Sequence, residues 1–143
     1  MYLPKPLFIL VGLFAVTLSA LAAMGASSQS IFAPEVERWR SLTEQVFPAD
    51  EVNDVLAVIQ CESFGDPTSR NMEEWGQESV GLLQINEGWL TGWQDPEWAF
   101  PGHDGQPVDL EDPATNLRAA KFIRYFEVVT EQDAWAEWAC KPY

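Results

Sequence analysis

Apolar residues fall into three arrangements along this chain. They form an uncharged run from Leu7 to Ala26. They recur every three or four residues from Val36 to Ile59 and again from Leu117 to Phe126, and they lose any period between Gly88 and Glu111. The three-to-four spacing predicts helices with one buried face. Val36, Trp39, Leu42 and Val46 predict a helix opened by Ala33-Pro34, where proline's missing N–H has no helical partner to lose, and closed by Pro48. Asp50 is the predicted N-cap of the next helix, whose inner face is Val52, Val55, Leu56 and Ile59 and whose end is marked by Gly65-Asp66-Pro67. Residues 68–79 read as a polar loop, and Ser79 as the cap of a short helix holding Leu82, Leu83 and Ile85. Asp112-Pro113 starts a helix through Asn116, Leu117, Ala120, Ile123 and Phe126, and Asp133 caps a last short one bearing Trp135, Trp138 and Cys140. No segment alternates as strands do, so the fold class is mainly α, with one small domain over residues 33–143.

The run from Leu7 to Ala26 follows Lys5, the only charge before Glu35, and contains Ala20-Leu21-Ala22 as a small-residue cleavage site. A basic residue, an apolar run and small residues form a secretory signal. The same run reaches roughly the 20 residues that span a bilayer as a helix. Residues 1–26 are therefore read as either a signal peptide or a membrane anchor, with residues 27–32 as a small polar linker. Both readings export the domain, to a secreted or periplasmic location or to the outer face of the membrane.

Export changes what the two cysteines mean. An even count in an oxidising compartment predicts one disulfide, Cys61 to Cys140. A closed loop of about 80 residues implies roughly 4 to 5 kcal/mol of stabilisation in the chain-entropy picture. Two distant cysteines and the lone His103 are too few ligands for zinc. The acidic stretch from Asp95 to Asp112 lacks the regular spacing that wraps oxygens around calcium. No metal and no cofactor are expected. With 22 acidic against 8 basic side chains, the net charge is −14, or −15 once Lys5 leaves with the leader. Such a surface repels nucleic acid and anionic headgroups, which removes both as partners.

The chemistry concentrates at Glu62. Steps of four and three residues carry Val55 to Ile59 and then to Glu62, so the carboxyl shares the buried stripe at the point where the helix stops. Burial disfavours the ionised form and turns such a glutamate into a proton donor near neutral pH. Asp66, Glu73, Glu74, Glu78 and Asp95 are the acids nearby that could serve as a second carboxylate; the sequence assigns none of them a role.

Three ordered segments, Cys61-Glu62-Ser63-Phe64-Gly65-Asp66-Pro67, Gly81-Leu82-Leu83-Gln84-Ile85 and Asp112-Pro113-Ala114-Thr115-Asn116-Leu117, together resemble the catalytic domain of soluble lytic transglycosylases. These belong to the lysozyme-like superfamily with goose-type lysozymes. The ending from Trp135 to Cys140 is similar to a Trp-x-x-Trp-x-Cys found in some relatives, and the resemblance covers about residues 50 to 140. It implies a small lysozyme-like helical domain preceded by the N-terminal apolar helix. It further implies cleavage of the β-1,4 bond between N-acetylmuramic acid and N-acetylglucosamine in peptidoglycan glycan strands; the chain is expected to act as a monomer. Glu62 becomes the single acid/base, assisted by the substrate's acetamido group and yielding a 1,6-anhydro product. Hydrolytic muramidase action and a non-catalytic glycan-binding module are the alternatives.

By the same resemblance Ser63, Ser79, Gln84 and Asn116 become substrate-binding candidates, with stabilising the turn as the alternative for Ser63 and holding the helix start as the alternative for Asn116. Gln84 can both give and accept hydrogen bonds, as sugar hydroxyls require. The late Ala-Tyr-Asn-Ala-Gly stretch of typical members is missing here, which bears on reaction outcome more than on fold. Of seven tryptophans, Trp39, Trp135 and Trp138 fall on helical stripes and read as core. Trp75, Trp89, Trp93 and Trp98 fall in loops where indole faces could stack on sugar, Trp89 foremost.

Overall fold

The computed structural model describes residues 30–73, 76–91, 108–129 and 133–142. The predicted leader, half of the linker, Trp75, Trp93, Trp98, His103, Glu74 and Asp95 lie outside these residues. Among the described residues no helix is long and apolar enough to cross a membrane.

The elements run α1 Pro34–Glu37, α2 Arg40–Val46, α3 Val52–Glu62, β1 Arg70–Met72, β2 Glu78–Val80, β3 Ile85–Asn86, α4 Gly88–Thr91 and α5 Pro113–Val129. The helical stripes read from the sequence form the core. Val52, Val55, Leu56, Val58 and Ile59 of α3 and Leu117, Ala120 and Ile123 of α5 are buried in one core cluster, and Trp39, Leu42, Val46 and Phe126 pack against it partly buried. The start of α5 is as its sequence predicts. Asp112 accepts the Thr115 N–H at 2.8 Å and the Thr115 hydroxyl at 2.6 Å, which satisfies an otherwise unpaired helix-start donor.

Several expectations are corrected. The first helix is two pieces, α1 and α2, broken at Arg38 and Trp39. Both side chains at the break donate to the carbonyl oxygen of Gly65, the indole Nε1 and the guanidinium Nη2 each at 2.9 Å. The break thus points two donors at the turn that follows Glu62. Gly65 has φ +81°, and a Cβ there would stand 2.3 Å from the Glu35 carbonyl oxygen, so only glycine allows this approach. The position before α3 is taken by Glu51, with no side-chain capping bond, rather than by Asp50. After Asp133 the chain forms successive turns instead of a helix, with Asp133 accepting the Trp135 N–H at 3.0 Å.

The largest correction is a sheet. Residues 68–79 are not all loop, and Ser79 caps no helix. Instead β1, β2 and β3 form an antiparallel three-stranded sheet, with Arg70 opposite Val80, Met72 opposite Glu78, and Val80 opposite Ile85. All three β1 residues are exposed, so this strand has no inward face whose alternation the sequence could display. Leu82 and Leu83 are buried in the turn between β2 and β3.

Candidate active site

Helix α3 delivers Glu62 to its final position, and the sheet supplies the facing surface. Between them lies a groove of about 340 Å³. Glu62, Ser79, Gln84 and Trp89 all line it, so four of the six residues proposed for catalysis or substrate contact meet in one place. Asn71 and Glu73 from the hairpin, and Glu137, Trp138 and Ala139 from the C-terminal segment, complete much of the wall.

The Glu62 carboxyl is partly buried. Loss of solvent raises its pKa above the usual carboxylate value, and the like charge of nearby Glu73 pushes the same way. The Cys140 main-chain N–H donates to Glu62 Oε1 at 3.1 Å and opposes this rise in part. Cys140 is in turn bonded to Cys61, the residue before the acid, with Cα atoms 5.9 Å apart. The predicted disulfide is therefore present.

Of the three candidate second carboxylates among the described residues, Asp66, Glu73 and Glu78, one lines the groove. Glu73 lines the groove and accepts the Ser79 hydroxyl at 2.7 Å, which orients it. Glu78 pairs with Arg70 instead. Asp66 closes its own loop, accepting the N–H and hydroxyl of Thr68 at 2.9 Å each, and these bonds lower its pKa.

Gln84 sits in the left-handed region with φ +46°. Its amide nitrogen donates to Ser69 O at 3.1 Å and Gly81 O at 3.0 Å, and its oxygen accepts from Asn71 Nδ2. Both amide hydrogens are thus committed to the protein, and Asn71 emerges as its partner at the groove. Trp89 is only 7 % exposed and packs edge-on against Phe126 at 5.7 Å, so it is a core residue with a surface on the groove. Trp138 has the same double role: it lines the groove while its indole N–H donates to Leu83 O at 2.8 Å.

Two candidates lie elsewhere. The Ser63 hydroxyl donates to Leu82 O at 2.8 Å and accepts the Gly65 N–H at 3.2 Å, joining the turn after α3 to the turn before Gln84. Asn116 is fully buried and holds three backbone groups: Leu83 N–H at 2.9 Å, Val80 O at 2.8 Å and Leu110 O at 3.0 Å. Neither lines the groove. Sequence reasoning passed over Asn71, Glu137 and Ala139, which reach the groove through the hairpin and the C-terminal segment. The hairpin left no periodic signal.

No family model and no curated protein sequence matches the chain. Among solved structures, it is similar to a lysozyme from Litopenaeus vannamei, with TM-score 0.55 and 16 % identity over 77 % of this chain and 84 % of that one. The fold is lysozyme-like. At this identity the likeness describes how the backbone is arranged, and function must be argued from the groove. Among the described residues no group of three or more His, Cys, Asp or Glu side chains could hold a metal.

Proposed function

We propose that this domain cleaves the β-1,4 bond between N-acetylmuramic acid and N-acetylglucosamine in peptidoglycan, outside the cytoplasm, with Glu62 as acid and then base. One observation carries the reading: in a lysozyme-like fold, a carboxyl with a raised pKa lies in the wall of a groove also lined by amide, hydroxyl and indole side chains. Protonated Glu62 donates to the bridging oxygen as the C1–O bond breaks, and the acetamido oxygen of the substrate closes on C1. The resulting carboxylate takes the proton of the muramic 6-hydroxyl as that oxygen displaces the acetamide, giving the 1,6-anhydro sugar. Asn71, Ser79, Gln84 and Trp89 form the surface on which the sugar rings would rest.

Glu73 supports a second reading. A second carboxylate at the groove, oriented by Ser79, can accept a proton from water, and two carboxyl groups are the usual requirement for hydrolysis. Product mass separates the outcomes. Purified sacculi digested with the protein are expected to release anhydro-muropeptides, each one water lighter than the hydrolysed form. Solely hydrated products would replace the first reading with the second, and glycan binding without any release would leave only a binding module.

The Glu73→Gln variant carries a further expectation. Glu62 is active as an acid while protonated, so activity falls as pH rises through its raised pKa. Removing the like charge of Glu73 lowers that pKa. The basic limb of the kcat/KM profile is therefore expected at lower pH in the variant, and an unmoved limb would show that the two carboxyls do not interact.

A further inference from the structure

We infer that the Cys61–Cys140 disulfide is a positioning device for the Glu62 carboxyl, so that the groove performs its chemistry only while this bond is oxidised. The inference rests on the reading of Glu62 as the proton donor. One residue makes both links: Cys140 is joined through sulfur to the neighbour of the acid, and through its own N–H to the acid itself.

The C-terminal segment is held in two parts. Residues 133–138 are anchored by packing, since Trp135 and Trp138 are buried against each other at 5.2 Å. Arg124 lies over the Trp135 ring at 4.4 Å, and the Trp138 indole is bonded to Leu83 O. Beyond Trp138 the attachments change. Lys141 bonds back to Asp133 and to Trp135 O, within its own segment. The links from Cys140 to α3 are the disulfide and the single N–H bond to Glu62. A lone N–H···O bond made by a chain end competes poorly with water. The sulfur bridge fixes the donor beside Oε1 and so removes that competition. It also keeps Ala139 in the groove wall.

Cys61 is exposed, so a thiol reductant can reach the bond. Opening it takes two electrons and two protons. A dithiol is oxidised to its cyclic disulfide while Cys61 and Cys140 become thiols. Trp138 stays docked, whereas the Cys140 donor is lost. The acid then loses its orienting partner, and a group that favoured its ionised form.

The test compares the full oxidised chain, the chain treated with dithiothreitol, and the Cys61→Ser/Cys140→Ser double variant. Sacculus digestion, amide hydrogen exchange and a pH titration of carbon-13-labelled glutamate are followed in each. Opening the bond is expected to lower kcat at least 10-fold and to speed exchange at residues 139–142 while α3 and α5 stay protected. It is also expected to move the Glu62 midpoint upward. Turnover that the oxidised chain shows and reduction leaves unchanged, or a midpoint that stays or falls, overturns the inference. A further measurement needs no reduction: in the oxidised chain, the Cys140 amide proton is expected to titrate with the Glu62 midpoint. Its indifference to pH overturns the inference even if the reduced chain unfolds. Should oxidised protein show no turnover while these spectroscopic changes occur, the proposed activity fails and the positioning of the carboxyl stands.

Discussion

Replacing Glu62 by glutamine is expected to reduce glycan release about 10³-fold, or about 4 kcal/mol of transition-state stabilisation, while making the folded chain more stable near neutral pH. The two effects share one cause. Burial, then the nearby Glu73 charge, raise the carboxyl's pKa in the folded state. The folded chain therefore binds this proton more tightly than the unfolded chain does. Its contribution to stability is fully present below the unfolded pKa and is lost as pH rises through the folded one. Glutamine has no charge to desolvate, and its oxygen can still accept the Cys140 N–H that now reaches Glu62 Oε1. Thermal melts at pH 7 are expected to show a higher Tm for the variant, and melts near pH 4 much less difference. Retained digestion by Glu62→Gln would remove the residue from the mechanism. An unchanged Tm at both values would mean that its burial is energetically unimportant.

The second large effect is expected at Asn116, and on stability. Asn116→Ala leaves the Leu83 N–H without its partner and takes from the carbonyl oxygens of Val80 and Leu110 the donor that the fully buried amide now supplies. Unsatisfied buried groups cost about 1–3 kcal/mol each, and partial relaxation leaves an expected loss of roughly 3–5 kcal/mol. Denaturant unfolding measures it directly. Gly81 shows how tightly this amide is enclosed: φ there is +82°, and a Cβ would stand 2.3 Å from Asn116 Nδ2. Because Asn116 holds the turn between β2 and β3, the variant is also expected to disturb Gln84 at the end of that turn. A loss below about 1 kcal/mol would mean that water reaches these groups, contrary to the burial.

Helices α3 and α5 and the place of Glu62 on the α3 stripe were legible because all depend on spacing. Val55, Ile59 and Glu62 fall on one stripe whatever the rest of the chain does, and Asp112-Pro113 announces a helix start through local capping chemistry alone. The sheet was hidden for the converse reason. Its strands are two or three residues long, and β1 buries none of its side chains, so pairing between β1 and β2 leaves no trace in residue order. Losing the hairpin also meant losing Asn71 as a groove residue and the distinction of Glu73 from Asp66 and Glu78. Ser63 and Asn116 illustrate another limit. A polar side chain that grips buried backbone and one that meets sugar have the same composition, and only the positions of Leu82 O, Val80 O and Leu110 O distinguish them. Trp89 and Trp138 show that a residue can belong to the core and to the groove at once.

Three glutamates, at 62, 73 and 137, stand along the groove, and no lysine or arginine is among the described residues that line it. Stem peptides on wall glycans present carboxylates of their own. If the chain acts on wall glycans as proposed, strands whose peptides have been trimmed or amidated would enter this acidic groove against less repulsion than fully charged ones. Substrate choice would then be set by what the cleft turns away.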